Sequence, residues 1–152
     1  MSSLEERFGR ALGELQVLER FISELQTRIS ALRAFTAEYD SAINFIEELK
    51  KTDGKMRLLV PIGAGNYVHA NITDVTRMEV SIGAGVVMTK SVEESLELMK
   101  KRKENLLKAI EENESQLVQY AQRASELRRL VEALAAKIKE KMAESGSESP
   151  GT

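Results

Sequence analysis

The sequence predicts an α+β fold, mostly α, in which two long helices pair as an antiparallel coiled-coil hairpin and two β-hairpins fill the connection between them. Three observations predict it. Each end of the 152-residue chain carries a heptad of apolar residues, the middle changes to a strand-like period, and Ile-Gly-Ala-Gly occurs twice, at Ile62 to Gly65 and at Ile82 to Gly85.

The first helix is expected over residues 1–52. Its apolar series runs Leu4, Phe8, Ala11, Leu15, Leu18, Ile22, Leu25, Ile29, Leu32, Thr36, Tyr39, Ile43, Ile46, in steps alternating between four and three, with Thr36 its one polar member. A 3.5-residue repeat held that long keeps one stripe on a partner helix only if the two supercoil; an ordinary amphipathic helix drifts off its seam. Ser3 followed by Glu6 has the spacing of a capping box, and Thr52-Asp53-Gly54 is the stop. Gly9 and Gly13 fall in the first turns, where fraying costs little. At ~1.5 Å per residue each helix is roughly 70 to 75 Å long, too long to wrap into a compact single-core domain.

Residues 53–90 are expected to form the two β-hairpins, with strands over 56–62, 66–72, 78–82 and 86–89. Gly63-Ala64-Gly65 and Gly83-Ala84-Gly85 supply residues that tolerate positive φ in tight turns. Two isolated hairpins leave open edges and little cover, so the apolar alternation of Val60, Ile62, Tyr67, Val80, Ile82, Val86 and Met88 demands burial against something outside the local sequence. Equivalent hairpins of other chains satisfy both needs, which predicts an obligate oligomer centred on this segment.

The second helix is expected over 91–143. Ser91 is placed to cap its first amides, and Glu93 and Glu94 face its positive end. Its series is Val92, Leu96, Met99, Lys103, Leu106, Ile110, Asn113, Leu117, Tyr120, Ala124, Leu127, Val131, Leu134, Ile138, Lys141. Residues 144–152, rich in Ser, Glu, Gly and Pro, are expected to be a disordered tail. Antiparallel pairing sets positions opposite one another when their numbers sum to about 142: Ile46 with Leu96, Ile43 with Met99, Leu25 with Leu117, Leu4 with Ile138. Tyr39 then faces Lys103, and Asn113 opposes Ile29, a mismatch that discourages slipped registers.

Composition excludes several functions. The net charge is −2, without the basic face that nucleic-acid binding requires. Cysteine is absent, and His69, the one histidine, has no companions spaced for a metal site, so no metal or cofactor is expected. The two Gly-Ala-Gly segments lack the following Lys-Ser or Lys-Thr of a phosphate loop. No nucleophile, base and orienter set is present, so no enzymatic activity is expected. With no apolar stretch near the ~20 residues that span a bilayer and no signal-peptide pattern, the expected location is the cytoplasm.

These residues resemble the α-class subunits of the prefoldin family. The resemblance extends over essentially the whole chain: the long first helix, Val60-Pro61-Ile62 with Tyr67-Val68 following, the second hairpin around Ile82-Gly83-Ala84-Gly85, and Lys90-Ser91-Val92-Glu93-Glu94 opening the return helix. Two hairpins are the mark of the α class. Val68 to Ile72 and Val86-Val87-Met88 depart from the family's common Pro-Gly turn and Tyr-Tyr-Val. The resemblance implies hairpins that oligomerise into a β-barrel, two α-type subunits with four β-type subunits, and ATP-independent holding of unfolded polypeptide for delivery to a group II chaperonin. Some divergent α-type relatives build filaments, and a structural coiled-coil scaffold is the alternative.

Client holding also follows from the residues. A coiled coil whose free ends fray exposes its seam, here Leu4, Phe8, Leu12 and Leu15 against Leu127, Val131, Leu134, Ile138 and Met142. Several such ends around one cavity turn weak apolar contacts into retention. Leu12 lies off the seam, so zipping the coil does not account for it. The plainer reading of the others is that they only close the coil.

Overall fold

The computed structural model describes residues 3–73 and 75–147. Its elements follow the order α1 (Ser3–Lys51), β1 (Met56–Gly63), β2 (Asn66–Ile72), β3 (Arg77–Gly83), β4 (Val86–Ser91) and α2 (Val92–Ser147). The fold is α+β and mostly α, two long helices with two antiparallel hairpins between them. The chain divides into two units, residues 3–31 with 110–147 and residues 32–109.

In the first unit the helices run antiparallel, as the Phe21 and Tyr120 rings, 6.0 Å apart, and the Arg28–Asn113 hydrogen bond show. Ala11, Leu15, Ala124 and Leu127 form the core, with Leu18, Ile22 and Val131 packed against it. The 142 register pairs Leu15 with Leu127, Leu18 with Ala124, and Ala11 with Val131, all within this one cluster. Asn113 is not stranded opposite Ile29: its Oδ1 accepts a hydrogen bond from Arg28 Nη1 at 3.4 Å. Glu14 accepts a two-point hydrogen bond from Arg123, through Nε at 3.0 Å and Nη2 at 3.3 Å, and Glu19 pairs with Arg128 across the other flank of the seam. The Glu14 hydrogen bond and charge hold the Arg123 guanidinium above its ordinary pKa.

The second unit holds Ile43, Ile46, Val92 and Leu96 at its core, with Val75, Met78 and Met99 against them. Lys103 pairs with Asp40, and Lys100 with Glu47 at 3.4 Å. Thr36, the polar seam residue of α1, donates its hydroxyl to the Leu32 carbonyl at 2.9 Å, so its burial leaves no unmade hydrogen bond.

α1 ends in a Schellman motif: Asp53 takes φ +54, Gly54 N donates to Leu49 O at 2.9 Å, and Asp53 N donates to Lys50 O at 3.3 Å. Two further backbone bonds tie the helix ends to the link between hairpins, Val75 N to Gly54 O at 3.2 Å and Val92 N to Thr76 O at 3.1 Å. α2 begins on the expected cap, with Glu94 N donating to Ser91 Oγ at 3.1 Å.

The strands form two separate two-stranded sheets. Their turns match closely: Gly63, Ala64 and Gly65 have φ of 104°, 52° and 78°, and Gly83, Ala84 and Gly85 have 104°, 52° and 76°. A register shift falls at the same place in each, between Pro61 and Gly63 and between Ser81 and Gly83, leaving Ile62 and Ile82 as the extra residues.

One boundary differs from expectation. Residues 144–147, expected in the disordered tail, are helical, because α2 continues to Ser147. Extending an established helix adds a hydrogen bond with each residue fixed, and the next proline is Pro150. Residues 148–152 of that expected tail lie outside the described residues.

Candidate assembly and client-binding surfaces

The first surface belongs to the hairpins. In β1–β2, Val60 pairs with Val68, Pro61 with Tyr67 and Leu59 with His69, so successive pairs alternate between the two faces of the ribbon. Apolar side chains therefore stand on both faces. Val60, Ile62 and Tyr67 are exposed on the first hairpin and Ile82, Val86 and Met88 on the second, with Ile62 the most open at 64%.

Val80 does not join them. It is 4% exposed, while Val60 at the matching place in the repeat is 39% exposed. β3 lies on the chain's own helices, where Met78 packs against the second unit's core and Arg102 Nη1 donates to Ser81 O at 2.8 Å. Val80 is thus a residue of the internal core, a correction to its expected place on the oligomer surface.

Sequence reasoning missed Leu59, Val68 and Val87, which are also exposed. The signal was available: Leu58-Leu59-Val60 and Val86-Val87-Met88 are continuous apolar runs, the pattern of strands covered on both faces. It also missed an apolar groove of about 390 Å³ in the second unit, lined by Tyr39, Ala42, Phe45, Met78 and Met99 among others.

The second surface is the end of the helix pair in the first unit. Leu4, Phe8, Leu12, Val131 and Ile138 are half-buried there, and Met142 is 70% exposed. Leu15, Leu127 and Leu134 are buried, so they reach a ligand only if the helices part. A shallow depression of about 410 Å³ opens beside Ile138 and Met142, bordered by Glu5, Lys141, Ser145 and Gly146. Val17, Phe21, Val118 and Leu130 add exposed apolar area that a search along the heptad seam passes over.

Among the described residues no group of three His, Cys, Asp or Glu side chains stands ready for a metal ion, and no helix is long and apolar enough to cross a membrane. His69 is exposed on β2, and both Gly-Ala-Gly segments are hairpin turns.

A prefoldin subunit family model matches residues 18–137. The chain is 32% identical to the prefoldin subunit alpha of Methanococcoides burtonii over 84% of its own length and 93% of the relative's. It is 33% identical to the corresponding subunit of Thermofilum pendens, over 84% and 96%. Its fold is similar to a chain of the filamentous PFD of Methanocaldococcus jannaschii, with a TM-score of 0.56 at 21% identity, covering 87% of this chain and 98% of that one. With the family model spanning most of the chain, and with two hairpins set between two long helices, the chain belongs to the prefoldin family and is of its archaeal alpha-subunit type.

Proposed function

We propose that this chain is a subunit of an ATP-independent chaperone that captures unfolded polypeptides on the ends of its helix pairs and passes them to a group II chaperonin in the cytoplasm. Membership of a family of chaperone subunits that assemble with one another supports the general role. The observation that carries the finer one is the half-buried seam at Leu4, Phe8, Val131 and Ile138, with the half-buried Leu12 and the exposed Met142 beside it. The exposed strand residues Val60, Ile62, Tyr67, Ile82, Val86 and Met88 favour assembly through the hairpins, two copies of this chain with four β-type prefoldin subunits. Open strand edges also permit self-association into a filament or scaffold.

Suppression of aggregation of a chemically unfolded protein tests the reading, without ATP, using this chain alone and mixed with a β-type prefoldin subunit, with mass measured by light scattering. A mixed hexamer should protect, and Phe8→Ser, Leu12→Ser and Met142→Ser together should remove protection without changing the mass. An intact assembly that never protects would leave the scaffold reading standing, and growth of this chain alone into large polymers would favour the filament.

A further inference from the structure

The apolar groove beside β3 belongs to neither the helix ends nor the exposed hairpin faces. Four consecutive residues of that strand, Met78 to Ser81, border it. Side chains of a strand alternate between its faces, so a groove that touches four in a row follows the strand's edge. Among the described residues β3 pairs only with β4, which leaves this second edge open. The other walls are Tyr39, Ala42 and Phe45 of α1 and Met99 and Arg102 of α2. A second hollow of about 320 Å³ continues from the groove, sharing Tyr39 and Arg102 and reaching Phe35 and Leu106. Phe35, Ala42 and Phe45 stand seven and three residues apart, one stripe of α1 beside the heptad seam, and both phenylalanines are exposed.

The chain itself shows what this flank accepts. β3 lies against the helices as an extended strand, with the alternate side chains Met78 and Val80 turned inward and the Ser81 carbonyl accepting from Arg102 Nη1 at 2.8 Å. The same groups are indifferent to sequence. Every residue offers a carbonyl, and a guanidinium carries several N–H donors, of which the Ser81 bond takes one. The thioethers of Met78 and Met99 reshape to fit different apolar partners, which suits a surface that meets many sequences.

We propose that this groove is a second holding site for non-native polypeptide, set at the hairpin end of the helix pair. It takes an extended apolar segment that lies along β3, with its side chains among Phe35, Tyr39, Phe45 and Met99 and its carbonyls toward Arg102. The site shares no residue with the helix ends and stands open while the seam is closed. The proposal rests on the client-holding reading and adds a place where the client is held.

Photo-cross-linking tests it beside aggregation suppression. The chain has no cysteine, so Phe35→Cys supplies its one thiol, and a benzophenone attached there before assembly with a β-type prefoldin subunit reports what enters the groove. Ala37→Cys, exposed and two residues on, places a matched label on the opposite side of α1. On irradiation with a chemically unfolded protein, without ATP, the label at 35 should join that protein in severalfold higher yield than the label at 37. Phe35→Ser with Phe45→Ser, at unchanged assembly mass, should need severalfold more protein to suppress aggregation. Equal yields from the two labels overturn the proposal, as does an adduct with the β-type subunit in place of the unfolded protein, which would assign the groove to assembly. Undiminished protection by the double variant also overturns it. Wild-type protection with no client adduct at 35 removes the groove alone, whereas a wild-type assembly that gives no protection defeats client holding and the groove with it.

Discussion

Gly54→Ala is the substitution whose cost the structure fixes most closely. Gly54 has φ +75°, a left-handed conformation that costs a residue bearing a Cβ about 1 kcal/mol or more. Its added Cβ would also stand 2.7 Å from Val75 O and 2.9 Å from Val75 N, both rigid backbone atoms. Relief requires the link to move, which stretches the 3.2 Å bond from Val75 N to Gly54 O and forfeits about 1 kcal/mol more. The sum, about 2 to 3 kcal/mol, corresponds to a fall in Tm of roughly 5 to 10 °C for a chain of this size. Gly85→Ala is the matched control, because Gly85 has φ +76° and an added Cβ there meets nothing within 4 Å. It should lose only the conformational part, about 1 kcal/mol. Thermal unfolding followed by circular dichroism at 222 nm, at one fixed protein concentration, measures both. Equal losses in the two variants would refute the argument that close approach of Val75 is what makes Gly54 indispensable.

Ala64 and Ala84 both sit at φ +52° ahead of a glycine, so Ala64→Asn and Ala84→Asn, which create the favoured Asn-Gly turn, should each stabilise by about 0.5 kcal/mol and by equal amounts in urea titrations. Val80→Ala should destabilise the chain itself by about 2 kcal/mol through lost burial, measured by chemical denaturation. Ile62→Ser, at a side chain 64% exposed, should leave the chain's helix content intact and dissociate the assembly, read by light scattering. The register is tested by oxidising cysteine pairs: Leu4→Cys with Ile138→Cys should cross-link efficiently, whereas Leu4→Cys with Val131→Cys, one heptad away, should not.

Much of this fold was legible because the heptads are long. Every member of the α1 series, from Leu4 to Ile46, is buried or half-buried, and the α2 series holds from Val92 to Ile138 before Lys141 turns outward. Such length leaves a slipped or ordinary amphipathic helix no comparable fit. Caps were legible for a different reason, since Ser91 and Asp53-Gly54 act through bonds to backbone only a few residues away. What failed was a tertiary matter. Val60 and Val80 occupy equal places in the repeat and share its turn geometry, yet only Val80 is buried, because β3 rests on helical residues distant in sequence. For the residues proposed to bind clients, the heptads did not reveal which of them the closed helices cover: Leu15, Leu127 and Leu134 inside, Met142 outside.

The repeat therefore encodes one local shape and two tertiary settings, and this inequality bears on assembly. The second hairpin is held by its own chain: the Ser81 carbonyl accepts from Arg102, Glu79 accepts from Thr89 at 2.8 Å, and Met78 and Val80 are packed against the helices. In the first hairpin the matching residues are Pro61, Leu59, Leu58 and Val60. Leu59 takes the place of the charged Glu79, and Val60 is open where Val80 is closed. An apolar ribbon exposed on both faces gains more from a neighbouring subunit than one already covered on a side by its own helices, in proportion to the apolar area still to be removed from water. Substitutions on the first hairpin should accordingly weaken assembly more than the equivalent ones on the second. Ile62→Ser against Ile82→Ser makes the comparison at the two equivalent bulge positions, and a larger loss of assembled mass from Ile82→Ser would show that the hairpins' own anchoring does not govern how the subunits join.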